Sequence, residues 1–132
     1  MRGDTAYFLP GSLVLAVPEI DEQHRELFAK LTEIKIICIE ENCLPDASAE
    51  ALLDFLQLHF ATEERLAKAA GYDFSKHAAK HDIMITAIRQ GIAKVRLGKK
   101  DVFGLLKFVE YWFERHILEE DLPLSKVLSD QV

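Results

Sequence analysis

The segment HFATEE, residues 59–64, places His59 and Glu63 four residues apart inside an apolar stretch. On a helix those two positions share one face, and Leu52, Phe55, Leu56 and Leu66 fall on or beside it. The pattern predicts that an imidazole and a carboxylate enter an oily interior, where polar groups are costly without partners. Three more segments show the same anomaly: DEQHRELF with His24, HAAKH with His77 and His81, and HILEED with His116 and Asp121. The chain has five histidines, and each lies on a predicted inner face.

Each of these residues also has an ordinary reading. A single inward histidine is more often a hydrogen-bonded core residue than a ligand. His59 and Glu63 can form a local ion pair, His77 and His81 can be two plain helical histidines, and Asp121 can be a solvated acid at a helix end. His116 and Asp121 are five residues apart, about 500° of turn on a regular helix. They diverge unless the helix loosens, for which Pro123 supplies a reason. Taken together the ordinary readings weaken, because pairing all these buried polar groups in an apolar interior is expensive. Five imidazoles and two carboxylates are too many ligands for one ion. They suit two octahedral ions bridged by both carboxylates and a solvent-derived oxygen. Mixed nitrogen and oxygen donors suit iron, and the lack of a thiolate set argues against a zinc–sulfur site.

The elements that must carry these residues are helical. His24, Leu27, Phe28, Leu31, Ile34 and Cys38 repeat at three and four residues, giving a first helix over about 20–40 with Asp21 as its cap or first-turn acid. Ile36, Ile37 and Ile39 widen its apolar face, either into the core or into a subunit interface. A second helix is expected over about 48–70, with Gly71 at its C-terminal cap. A third runs over 75–96 from Ser75 as N-cap, and a fourth over 101–120 from Asp101 as cap, with Phe103, Leu106, Val109, Trp112, Phe113 and His116 inward. Pro123 should stop the fourth helix, leaving a peripheral tail or a linker to another module. Residues 1–19 read as an irregular arm. With no strand pattern, the expected fold is all-α: a single domain over residues 1–132, an up-down-up-down antiparallel four-helix bundle.

Composition narrows the function. The chain is 132 residues long, 49% hydrophobic and 29% charged, as suits one soluble domain. A net charge of −6 argues against nucleic-acid and anionic-membrane partners. No transmembrane span or signal peptide is evident, which leads us to expect a cytoplasmic protein. Cys38 and Cys43 read as structural thiols.

The order DEQHRELF, HFATEE, HAAKHD and WFERHILEED resembles the hemerythrins, specifically the bacterial hemerythrin-like domains, over about residues 15–122. The resemblance implies a non-haem di-iron centre with an oxo or hydroxo bridge. His77, His81 and His116 would hold one iron, His24 and His59 the other, and Glu63 and Asp121 would bridge. The second iron would keep an open position for dioxygen. Leu27, Phe60, Trp112, Phe113 and Ile117 would surround that position, although core packing is the ordinary role of each. Three residues depart from the family's habit: Phe113 where leucine is common, Ala16 where glycine is frequent, and Met84 where phenylalanine is frequent. The expected function is reversible dioxygen binding for storage or delivery. Alternatives are a domain that senses oxygen or redox state for a partner or attached module, a di-iron peroxide or nitric oxide reductase, and a role in iron homeostasis. Homo-oligomerisation is also open.

Overall fold

The computed structural model describes residues 9–129, which are helical with no strand among them. Four long helices form the bundle: α1 (Pro18–Glu41), α2 (Asp46–Ala69), α3 (Ser75–Arg96) and α4 (Val102–His116). A π-helical segment (Ile117–Asp121) and a short helix α5 (Leu122–Ser129) continue α4. Each long helix packs against the next in the chain, and α4 closes back on α1.

Local chemistry sets the ends. Pro18 begins α1, where its fixed φ and missing N–H do no harm. Asn42 ends α1 in the left-handed region at φ 56°. Gly71 (φ 72°) ends α2, with the Tyr72 amide donating to Ala67 O at 2.9 Å, a Schellman closure. Asp101 caps α4 by accepting from the Gly104 amide at 3.0 Å. Ser75 is not the cap of α3. It lies inside the first turn, and Asp73 accepts from both its amide and its hydroxyl.

The main core joins Leu27, Leu31 and Ile34 of α1 to Leu52, Phe55, Leu56 and Phe60 of α2, Met84 and Ile88 of α3, and Leu106, Val109 and Phe113 of α4. Buried Gly91 lets α4 approach α3 closely, since a Cβ there would lie 2.6 Å from Leu105 Cδ1. Leu105 is buried and Phe103 exposed, the reverse of what periodicity suggests for the start of α4. Ile36 and Ile39 also face solvent, so they do not broaden the core contact of α1.

Two regions differ more from expectation. Asp21 is a first-turn acid of α1 and not its cap, and its buried carboxylate accepts from the amides of Leu15 at 2.8 Å and Ala16 at 3.0 Å. This latches the arm, and Leu9, Leu13 and Leu15 then pack with Ile20 and Ile117. The latch holds Ala16 at φ 64°, a conformation that favours glycine. Nor does Pro123 end the helical path. It falls in the first turn of α5, where proline is tolerated, and Leu124 is fully buried with Ala67 and Phe74. The tail is part of the packed domain.

Candidate metal centre

Seven side chains meet inside one end of the bundle: His24 from the start of α1, His59 and Glu63 from the end of α2, His77 and His81 from the start of α3, and His116 and Asp121 from the end of α4 and the π segment. The alternation of helix starts and ends is what successive helices running in opposite directions require. Each of the seven is buried, and Glu63 and Asp121 are fully so.

The two four-residue spacings work on regular helix, because residues i and i+4 stack on one face. The five-residue spacing does not, and here the backbone changes. From Ile117 the helix widens, and the Leu122 amide donates to Ile117 O, an i→i+5 bond. The wider turn brings Asp121 back beneath His116, with Oδ1 at 3.3 Å from His116 Nε2.

Imidazole nitrogens and carboxylate oxygens converge in two sets. One comprises His77, His81, His116, Glu63 and Asp121; the other comprises His24, His59, Glu63 and Asp121. Either could hold a metal ion. The carboxylates belong to both sets and divide their oxygens between them. Glu63 Oε1 lies 3.4 Å from His77 and 3.3 Å from His81, while Oε2 lies 3.2 Å from His59 and 3.6 Å from His24. Asp121 Oδ1 lies 2.9 Å from His77, while Oδ2 lies 3.1 Å from His24. His116 Nε2 is 3.1 Å from the Nε2 atoms of both His77 and His81. Two metal–imidazole bonds of about 2.1 Å at a right angle would separate the nitrogens by about 3.0 Å.

These groups do not satisfy one another. Both oxygens of Glu63 and of Asp121, both nitrogens of His24 and Nε2 of His59 are buried without an aligned hydrogen bond. Buried polar atoms in that state are rare in native proteins and call for an ion or another partner. The donor set fits a hard-to-borderline divalent or trivalent metal.

Five of the seven have shifted pKa values even without a cation. Burial opposes an imidazolium at His24 and at His77, but Asp121 and Glu63 outweigh it and raise each pKa to about 9. Burial, reinforced by the neighbouring His77 and His116, lowers that of His81. Burial would likewise raise Glu63, yet His59 and the other facing imidazoles hold it well below the usual carboxylate range. Asp121 is also held low, because His116, His24 and His77 overcome burial and the charge of Glu63.

Residues outside the seven orient the rings. Gln23 Nε2 donates to Thr62 Oγ1 at 3.1 Å, so its Oε1 is the acceptor for His59 Nδ1 at 2.7 Å. That fixes the tautomer and points the lone pair of His59 Nε2 toward Glu63. Phe74 stacks on His77 at 4.4 Å between centroids. Sequence reasoning passed over both residues. The signal for Gln23 is its place beside His24; Phe74 lies in a stretch that reads as a plain link.

The five residues expected around an open position are not grouped alike. Leu27, Phe60 and Phe113 share the main core, and Trp112 packs against it. Ile117 belongs to the separate cluster under the arm. Phe60 stacks on His81 at 3.7 Å, and Trp112 stacks on His116 at 4.4 Å. Those two rings therefore touch the three-histidine set. The fully buried Phe113 lies 6.0 Å from Phe60 between centroids.

Comparison with known proteins agrees with the geometry. The profile of the Hemerythrin HHE cation binding domain matches residues 15–127. A hemerythrin-like protein of Naegleria gruberi is 30% identical over 112 residues, 83% of each chain. A bacteriohemerythrin of Methylococcus capsulatus is 28% identical over 112 residues, covering 83% of this chain and 86% of the relative. Another, from Pseudomonas aeruginosa, is 30% identical over 105 residues, 77% of this chain and 68% of the relative. No solved structure matches the chain significantly. A family profile spanning most of the chain and a bundle that gathers histidines and carboxylates at one end lead to the same conclusion: the chain belongs to the hemerythrin family as a bacterial hemerythrin-like domain.

Proposed function

We propose that this domain binds dioxygen reversibly at a centre of two iron ions, for storage or delivery. The observation that carries the reading is the division of the carboxylate oxygens: Glu63 and Asp121 each turn one oxygen toward each histidine set. One ion would give no reason for that division, whereas two ions sharing both carboxylates would. His77, His81 and His116 would then hold one ion, and His24 and His59 the other. With the shared carboxylates the first set offers five side chains and the second four, so the second is the one short of protein ligands. When bound, the irons supply the electrons and the coordination position for dioxygen.

The chain's own residues provide the rest. Gln23 holds the His59 ring in one tautomer. Leu27 and Phe113, both fully buried, keep water from the interior beside the histidines, with Phe60 sealing the His81 side. The other buried polar residues among those described are occupied elsewhere: Asp21 with the arm, Thr62 with Gln23 and Leu58 O, and Ser125 with Leu122 O. None is a spare proton donor beside the centre, and cleaving an O–O bond calls for one. This favours binding over reduction of peroxide. No helix of the described residues is long and apolar enough to cross a membrane.

The test is a cycle of anaerobic reduction, air exposure and deoxygenation on protein of known iron content, followed by visible absorption and resonance Raman. Reversible appearance of a charge-transfer band with an oxygen-isotope-sensitive vibration is expected. Steady consumption of dioxygen or peroxide with turnover would replace binding by catalysis.

A further inference from the structure

The two cysteines lie far from the candidate metal centre. Cys38 is fourteen residues beyond His24 on the same helix, about 21 Å along its axis. It is buried, whereas Cys43 is exposed. Between them α1 ends, and Asn42 takes the left-handed conformation at φ 56° and ψ 31°. Cys38 thus lies in the last turn of α1, and Cys43 follows directly on the left-handed Asn42. Both thiols line one cleft of about 430 Å³ at the far end of the bundle, with Leu44, Val95, Arg96 and Lys100 among its walls.

The structure assigns this pair, we propose, as a thiol–disulfide exchange site that takes a small disulfide bearing carboxylates. Cys43 is the attacking thiol because it alone is exposed. Its thiolate attacks one sulfur of the disulfide RSSR; the S–S bond breaks, RS⁻ leaves, and a mixed disulfide forms. Cys38 then loses its proton to solvent and attacks Cys43 Sγ, which expels the second RS⁻. Two protein thiols are oxidised, and one RSSR is reduced to two RSH. Arg96 is paired with Asp46 at 2.9 Å, and Asp101 accepts from the Gly104 amide while keeping its charge. Lys100 is the cation of the cleft outside any ion pair among the described residues, and it is the one placed to meet an incoming carboxylate.

Burial pushes the Cys38 thiol up, with the nearby Cys43 adding to the shift. Less thiolate is then present near neutrality, and closure is the slow step. The product is a short loop that locks the last turn of α1 to the link into α2. No group of the metal centre takes part.

The test uses metal-loaded protein and glutathione disulfide as the probe, with acid quenching, intact mass, and peptide mapping after non-reducing digestion. At about pH 7 the mixed disulfide at Cys43 should accumulate, and at about pH 8.5 it should convert to a Cys38–Cys43 cross-link with loss of both free thiols. Cys43→Ser should abolish adduct and cross-link alike, and Cys38→Ala should leave the adduct permanent. Lys100→Gln should slow adduct formation about threefold at low salt and not at all at high salt. The cross-link is read in the unaltered protein, so the outcome does not depend on how Cys38→Ala folds. A wild-type adduct that never closes at either pH, or first modification at Cys38, would overturn the proposal.

Discussion

The two ends of this bundle are held together by opposite means. At the far end Leu52, Leu53, Ile92, Leu105 and Leu106 bury apolar surface, and Gly91 admits a close helix contact. Among the described residues no buried side-chain nitrogen or oxygen there lacks a hydrogen bond. At the other end seven buried ionisable groups face one another, with several atoms lacking aligned hydrogen bonds. That end could hold metal. Far-end packing should therefore set the stability of the metal-free domain, and the ligand end should set how much a metal adds, since free energy of metal binding becomes free energy of folding.

Glu63→Ala should break the comparison most severely. It removes a carboxylate shared by both sets and leaves cationic charge uncompensated. Loss of at least one ion is expected, with affinity down by more than about 100-fold, measured by metal analysis after dialysis against a chelator. Leu106→Ala is the counterpart at the far end. It should cost about 2–5 kcal/mol by denaturant unfolding, equally with and without metal, and leave metal content unchanged. A metal-dependent cost for Leu106→Ala would show the ends are not independent.

Gln23→Leu comes next. It leaves His59 Nδ1 and Thr62 without their shared partner, and loss of such an orienting bond typically weakens metal binding by about 10- to 100-fold. Competition with a chromogenic chelator reads the change. An effect on stability alone would make Gln23 a packing residue.

The ends should also part company with pH. In the apoprotein His24 and His77 have pKa values raised from 6.5 to about 9. Their stabilisation is present below about pH 6.5 and lost as pH rises through about 9. The lowered carboxyls Glu63 and Asp121 act oppositely: their stabilisation is present above about pH 4 and lost as pH falls. Apoprotein Tm should therefore fall between about pH 6.5 and 9, while the metal-loaded Tm stays nearly level because the bound imidazoles have already given up their protons. Parallel falls in both forms would count against metal binding by these histidines.

The smallest effect concerns the arm. Ala16 sits at φ 64°, strain that glycine removes at some cost in chain entropy. Ala16→Gly should stabilise the domain by up to about 1 kcal/mol, visible as a modest rise in Tm. A fall would mean that the Asp21 latch tolerates the alanine without strain.

Much of this was readable in the chain because helical periodicity has one simple rule. Four-residue spacings put His59 with Glu63 and His77 with His81 on common faces, and inward histidines in apolar segments mark where helices must converge. The rule fails where geometry departs from it. His116 and Asp121 meet through a π turn, which the spacing demands but cannot by itself establish. Polar residues near helix ends look alike in sequence. Asp21 reads as a cap or a first-turn acid; it is the latter, and its carboxylate also latches the arm. Ser75 reads as a cap, yet it is the first residue of α3, and its amide and hydroxyl donate to Asp73. Gln23 carries no signal of its own in the sequence, yet it orients a ring. Each depends on what lies opposite in space. The same holds for Pro123, which would end a regular helix but is tolerated where α5 begins a new turn.

On the proposed reading Glu63 and Asp121 would join two ions rather than complete one site. Anaerobic titration of the apoprotein with ferrous iron, followed by absorption and by magnetic measurement after oxidation, tests it most directly. The expected result is a break at two irons per chain and magnetic coupling between them. A break at one iron per chain, or two irons with no coupling, would contradict the shared-carboxylate centre.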